Sequence, residues 1–200
     1  MLQIQSVNPN LLRVLKELMS IELLQSLNLV GGTSLALQIG HRVSIDIDLF
    51  GAIDFDYQEV VHDFRSIGNV RILSQSKHIN IFSIDDIKVD FVNYSYPLLD
   101  PIIMEDGIRM ISTKDIAAMK LNAIAGRGSK KDFIDLYYLL REYSIEEIYE
   151  FYRSKYKDGN LFLVQKSLVY FNDADRERTP TIFDDIRWED IKKEIVKQIF

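Results

Sequence analysis

The sequence has no cysteine and only three histidines in 200 residues. Without thiols there is no disulfide framework, no thiolate nucleophile and no Cys-ligated zinc site, and three scattered histidines are too few for a histidine cage. Any metal is therefore expected on oxygen ligands. No run of about 18 or more apolar residues occurs, and the opening "MLQIQSVNPN" lacks both the basic and the apolar stretch of a secretory signal. The chain is expected to be cytoplasmic, with no membrane partner. Positive charge is also in deficit, with 24 Lys and Arg against 30 Asp and Glu and a net charge of −6. That argues against a generic nucleic-acid coat protein, but leaves room for a local basic patch facing an acidic metal site, with a nucleotide or RNA end as ligand. Internal repeats and low-complexity tracts are missing too. The 47% hydrophobic content suffices for one sizeable core, or for an α/β domain with a small helical partner.

Periodicity predicts the elements. Leu11, Val14, Leu15, Leu18 and Ile21 fall at helical spacing within residues 10–27. "LNLVGG" reads as a short strand with a tight turn, and "TSLALQIG" as a short helix closed by Gly40. "SIDIDLF" alternates, with Ile45, Ile47 and Leu49 on one face and Asp46 and Asp48 on the other. A helix over "FDYQEVVHDFRSI" precedes the strands "VRILSQ", "HINIFSI" and "IKVDFVNY", with "IDD" as a hairpin turn. From residue 112 the pattern is helical: Ser112 with Asp115, and Ser129 with Asp132, have capping-box spacing. "SIEEIYEFYRSKY", "NLFLVQKSLVYF" and "WEDIKKEIVKQIF" continue it. The expected class is α+β, a mixed sheet flanked by helices in residues 1–110 and an α-helical bundle in residues 111–200.

Aspartate is disfavoured in strands, yet Asp46 and Asp48 share a strand face at a spacing of roughly 7 Å, close enough to share one or two hard cations. Asp90 interrupts a second apolar strand and supplies a third carboxylate. Solvation on an open sheet face is the plainer reading, and three such residues beside a Gly-Gly turn weigh against it. A calcium loop fails, because Phe50 and Tyr57 stand where an oxygen ligand and a bidentate glutamate are needed. A Walker loop and a dinucleotide-binding glycine motif are both absent. Gly31 and Gly32 let backbone N–H groups approach phosphate oxygens, with the Thr33 and Ser34 hydroxyls beside them. An ordinary strand-to-helix turn is the alternative.

The segment "VGGTSLALQIGHRVSIDIDL" resembles the nucleotidyltransferase pattern, with Val30, Gly31, Gly32, Asp46, Ile47, Asp48 and Leu49 in its places. Together with "KLNAIAGRGSKKDFIDLYYLL" it is similar to the AbiEii/AbiGii toxin family, within the polymerase-β-like minimal nucleotidyltransferases. That resemblance implies a nucleotidyltransferase-type mixed sheet. It implies Mg²⁺-dependent transfer of a nucleoside monophosphate from an NTP, with two ions and Mn²⁺ as the alternative metal. The acceptor would be RNA, in some members the tRNA 3′ end, or a protein hydroxyl, and the setting a toxin or phage-defence system with an antitoxin partner. Asp46, Asp48 and Asp90 would be both catalytic and metal ligands, Asp90 also accepting the acceptor's proton. Gly31, Gly32, Thr33 and Ser34 would bind the phosphates, with Lys120, Arg127 and Lys131 as further nucleotide contacts. Lys120 and Arg127 share a helix face, for which solvation is the alternative. Asp132 and Asp135 are open between chemistry and structure, as are His41 and Arg42 between phosphate contact and support. A module of the same fold that binds nucleotide or protein without turnover is the rival reading.

Overall fold

The computed structural model describes residues 1–54 and 56–199, which fall into two compact units. The first comprises Met1–Gly40, Ser44–Ser95 and Ile102–Ile111, the second His41–Val43, Tyr96–Pro101 and Ser112–Phe200. Phe55 and Phe200, at the ends of two predicted helices, lie outside the described residues. No described helix is long and apolar enough to cross a membrane.

The first unit carries seven strands: β1 (Leu27–Leu29), β2 (Asp46–Gly51), β3 (Val70–Gln75), β4 (Ile79–Ile84), β5 (Ile87–Asn93), β6 (Ile103–Glu105) and β7 (Ile108–Met110). They form one sheet in the order β3-β4-β5-β2-β1-β7-β6. β2 runs parallel to β5 and β1 parallel to β7, while the remaining neighbours are antiparallel. The mixed sheet of the α+β expectation is present. Ile47 and Leu49 of β2 and Val89 and Phe91 of β5 are buried, together with Phe64 and Phe82. Phe64 stacks on Phe91 at 5.2 Å, and Phe82 meets both rings edge-on. Ile45 departs from the expected alternation: β2 begins at Asp46, and Ile45 is 64% exposed.

Helix α1 (Pro9–Ser20) begins where it should, because the Asn8 side chain accepts the Leu11 N–H at 2.7 Å and Pro9 occupies the first turn. It ends seven residues earlier than the periodicity to residue 27 implied. Ile21 is extended and a 3₁₀ turn, Glu22–Leu24, follows. Arg109 of β7 explains how the break is tolerated: its guanidinium donates to the carbonyls of Met19, Leu24 and Leu27 at 3.0, 3.0 and 3.1 Å. Helix α2 (Gly31–Ile39) closes on Gly40, which is left-handed at φ +67 as expected of a C-terminal glycine. Helix α3 (Tyr57–Ile67) is capped by Asp56. The hairpin of β6 and β7 was not assigned from sequence, although Asp106 and Gly107 both take positive φ in its two-residue turn.

The second unit is helical in its regular elements: α4 (Thr113–Gly126), α5 (Lys130–Leu139), α6 (Ile145–Lys155), α7 (Leu161–Ser167), α8 (Asn172–Asp175) and α9 (Trp188–Ile199). Ser112 accepts the Asp115 N–H at 3.1 Å, one half of the expected capping box. The other half is missing because the Asp115 carboxylate accepts from Leu99 N–H and from the buried Lys155 ammonium at 2.7 Å. Ser129 does not cap α5 through its side chain. A complete box occurs at Ser144 and Glu147 instead. Phe133, Phe171 and Trp188 pack as an aromatic trio that joins α5 to α9.

Candidate active site

In the first unit, β2 and β5 pair in parallel with Asp46 opposite Lys88 and Asp48 opposite Asp90. Residues opposite one another in a sheet project to the same face, so Asp46, Asp48, Lys88 and Asp90 form a charged square on the side away from Ile47 and Leu49. Lys88 donates to both oxygens of Asp90, at 2.6 and 2.5 Å. Val30 donates its N–H to the Asp48 carbonyl at 2.9 Å, which holds the start of α2 beside β2. Gly31 follows in the left-handed region at φ +66, and a Cβ built on it would stand 2.8 Å from Asp48 Oδ2. The carboxylate therefore lies against the first residue of α2. The first-turn amides of a helix have no carbonyl partner of their own, and they favour negative charge.

Thr33 and Ser34 are buried, and their hydroxyls face protein groups. Thr33 donates to the Asp46 carbonyl and lies 2.8 Å from the Ser44 hydroxyl. Ser34 accepts from the Gln38 amide at 3.0 Å. The Thr33 hydroxyl ties α2 to the beginning of β2, whereas the Ser34 contact stays within α2. Among the described residues, no three His, Asp or Glu side chains are gathered into a ready metal cage. Asp46 and Asp48 offer carboxylate oxygens, the donor type a hard divalent cation takes, on the face they share with Asp90, whose two oxygens accept from Lys88, and Gly31 has no side chain to crowd Asp48.

The second unit assembles a different charged group. Asp135 of α5 is fully buried and accepts from Arg42 Nε at 2.6 Å, Arg42 Nη2 at 2.9 Å, His41 Nε2 at 2.8 Å and Lys120 Nζ at 2.6 Å. Asp132, one turn earlier and also buried, accepts from Lys120 at 2.8 Å and from the Arg127 fork at 2.7 and 3.0 Å. Lys120 is thus no solvated helix-face residue; its ammonium bridges the two carboxylates. Burial opposes the charge on Asp132, but Lys120 and then Arg127 outweigh it and bring the pKa down to about 2. Asp135 is likewise held well below the usual carboxylate range, by Arg42 and Lys120 against its burial. Burial lowers His41, keeping the imidazole neutral beside two cations. Arg127 is 59% exposed, and Lys131 is exposed.

Asp46, Asp48 and Asp90, with Gly31 and Gly32, thus come together in one unit, and Lys120 and Arg127 join Asp132 and Asp135 in the other. One contributor, Lys88, escaped the sequence reading. Lys88 was legible as the residue two before Asp90 on the same strand face. Arg42 and His41, left open by the sequence between phosphate contact and support, both donate to Asp135, more than ninety residues away.

The family model for the nucleotidyl transferase AbiEii toxin of type IV toxin–antitoxin systems matches residues 13–199. An uncharacterised protein of Aquifex aeolicus (strain VF5), aq_aa25, is 39% identical over 187 residues, covering 90% of this chain and 89% of that one. Among solved structures, JHP933 from Helicobacter pylori superposes with a TM-score of 0.62 at 17% identity, over 95% of this chain and 87% of that one. MenT4 from Mycobacterium tuberculosis H37Rv, a nucleotidyltransferase toxin, gives 0.52 at 14% identity, over 94% and 80%. These two share the fold. With the match spanning nearly the whole chain, the protein belongs to the AbiEii toxin family of nucleotidyl transferases.

Proposed function

We propose that the protein transfers a nucleoside monophosphate from an NTP to a hydroxyl of an RNA, the tRNA 3′ end foremost and a protein hydroxyl as the alternative acceptor. The observation that carries this reading is the register of β2 and β5, which sets Asp48 opposite Asp90 and Asp46 one repeat away, beneath the glycine start of α2. Asp46, Asp48 and Asp90 would hold Mg²⁺, or Mn²⁺ in its place. When bound there, the metal supplies charge neutralisation for the triphosphate and lowers the pKa of the attacking hydroxyl. Backbone N–H groups of Gly31, Gly32 and Thr33 receive phosphate oxygens, and Ser34 steadies that turn through Gln38. Asp90 accepts the acceptor's proton on a carboxylate oxygen, while Lys88 beside it holds the carboxylate in place. Arg127 and Lys131 are the exposed cations of the nucleotide set, and Lys120 fixes the two aspartates behind Arg127.

The family supports a toxin role with an antitoxin partner; the cytoplasm and a phage-defence setting belong to the same proposal. The test is incubation with each of the four α-labelled NTPs, Mg²⁺ and total cellular RNA. Label in a discrete RNA band is the expected result. Label confined to protein would move the acceptor, and no labelling with any NTP would contradict the reading.

A further inference from the structure

The face of the sheet that carries the carboxylates can be read row by row from the strand register. One row holds Asp46, Lys88, Ser83 and Arg71, and the next holds Asp48, Asp90, Ile81 and Ser74. The third row, one repeat further along β2, runs Asn28, Phe50, Val92 and Ile79 across β1, β2, β5 and β4. It contains no charge. Phe50 is only half-buried, and its ring lies 5.3 Å from that of Tyr94 at a tilt of 48°. Tyr94 is anchored at this end of the sheet by its N–H to the Gly51 carbonyl at 2.9 Å. This aromatic pair lies on the face that carries the carboxylates and Lys88, outside the hydrophobic core, which lies on the other side with Ile47, Leu49, Val89 and Phe91.

We infer that Phe50, backed by Tyr94, is the surface on which the base of the incoming nucleoside triphosphate stacks, with the Asn28 amide beside it to read the base edge. The inference rests on the transfer reaction proposed above. Phe50 stands roughly 7 Å from Asp48 along the strand, about one repeat, and the ribose separates the reacting phosphate from the base over a comparable span. Every base offers a π-face, so an aromatic platform binds all four, and discrimination falls to the neighbouring amide, which both donates and accepts. The row's lack of charge selects the NTP over an RNA strand as occupant. A polynucleotide laid along it would keep its phosphates unneutralised, whereas the triphosphate's charge is met at Gly31 and Gly32.

Calorimetric titration of each NTP and of inorganic tripolyphosphate, in Mg²⁺, into wild type and into Phe50→Ala, Phe50→Leu, Phe50→Trp and Asn28→Ala tests it. Phe50→Ala should weaken every NTP about tenfold, Phe50→Leu less, and Phe50→Trp not at all, since stacking is what changes. Tripolyphosphate should bind all of them alike, and Asn28→Ala should narrow the spread among the four NTPs. Circular dichroism of Phe50→Leu, which keeps the apolar volume, separates lost stacking from lost folding. Unchanged NTP affinity in Phe50→Ala would overturn the inference, as would an equal fall for NTP and tripolyphosphate. If wild type binds neither ligand in Mg²⁺, the transfer reading fails with it; if wild type binds both and only Phe50 is silent, the platform alone fails.

Discussion

Gly31 is required at its position for two separate reasons, backbone and space. Its φ of +66 lies in the left-handed region, and a Cβ would stand 2.8 Å from the Asp48 carboxylate. Gly31→Ala should therefore lower stability by about 1–2 kcal/mol for the backbone alone, and displace Asp48 as well. Gly107 is the control, since it too has positive φ, +77, but nothing lies within 4 Å of its Cβ position. Urea unfolding should show a loss in both alanine variants, and NTP binding should fall only in Gly31→Ala. Asp48 yields a second prediction. Mg²⁺ that binds the folded chain alone raises its Tm, and Asp48→Asn should abolish that rise. A Tm that responds equally in both would remove Asp48 from the metal set. These aspartates were legible in the sequence because charge alternating with aliphatic residues on a strand needs a reason. The Lys88 partnership with Asp90 is legible by the same period of two, which puts both side chains on one strand face.

At the scale of elements, local signals predicted local structure and failed where distant groups intervened. The caps of α1 and α4 and the glycine end of α2 follow from residues adjacent to them. The early end of α1 depends on Arg109, about ninety residues on, and no periodicity within α1 announces it. The capping role expected of Asp132 fails for the same reason: Lys120 and Arg127 claim the carboxylate. Helices α4 and α5 are consequently joined by a buried ionic group, and breaking it is costly. Lys120→Met should destabilise the protein by about 3–5 kcal/mol, because two buried carboxylates lose a shared cation. Chemical denaturation measures this, and a change below ~0.5 kcal/mol would place Lys120 on a solvated surface. The pH dependence has a definite sign. The Asp132 carboxyl falls from 3.8 to about 2 in the folded chain, so its stabilisation is present above about pH 4 and is lost as pH falls from there toward 2. The loss should reach about 2 kcal/mol. Asp135, lowered in the same direction, adds to it. Asp132→Asn should flatten the acid limb of Tm against pH.

At the scale of the whole molecule, a chain with a net charge of −6 holds two local charged arrangements: carboxylates on one sheet face, and cations locked to buried aspartates between two helices. Overall charge concealed both, whereas the combination of Gly-Gly-Thr, alternating aspartates and the later Lys-Asp-x-x-Asp segment revealed the family, which the match over residues 13–199 establishes. On the proposed function, the β2 and β5 carboxylates perform metal-dependent transfer. Its most direct test is the single-turnover rate of NMP transfer to RNA in Mg²⁺ for wild type and Asp48→Asn, each checked for an intact fold by circular dichroism. Label in RNA is expected for wild type, with a fall of about a thousandfold or more for Asp48→Asn, as when a charge-neutralising metal is lost. Equal rates in the two proteins would contradict that function.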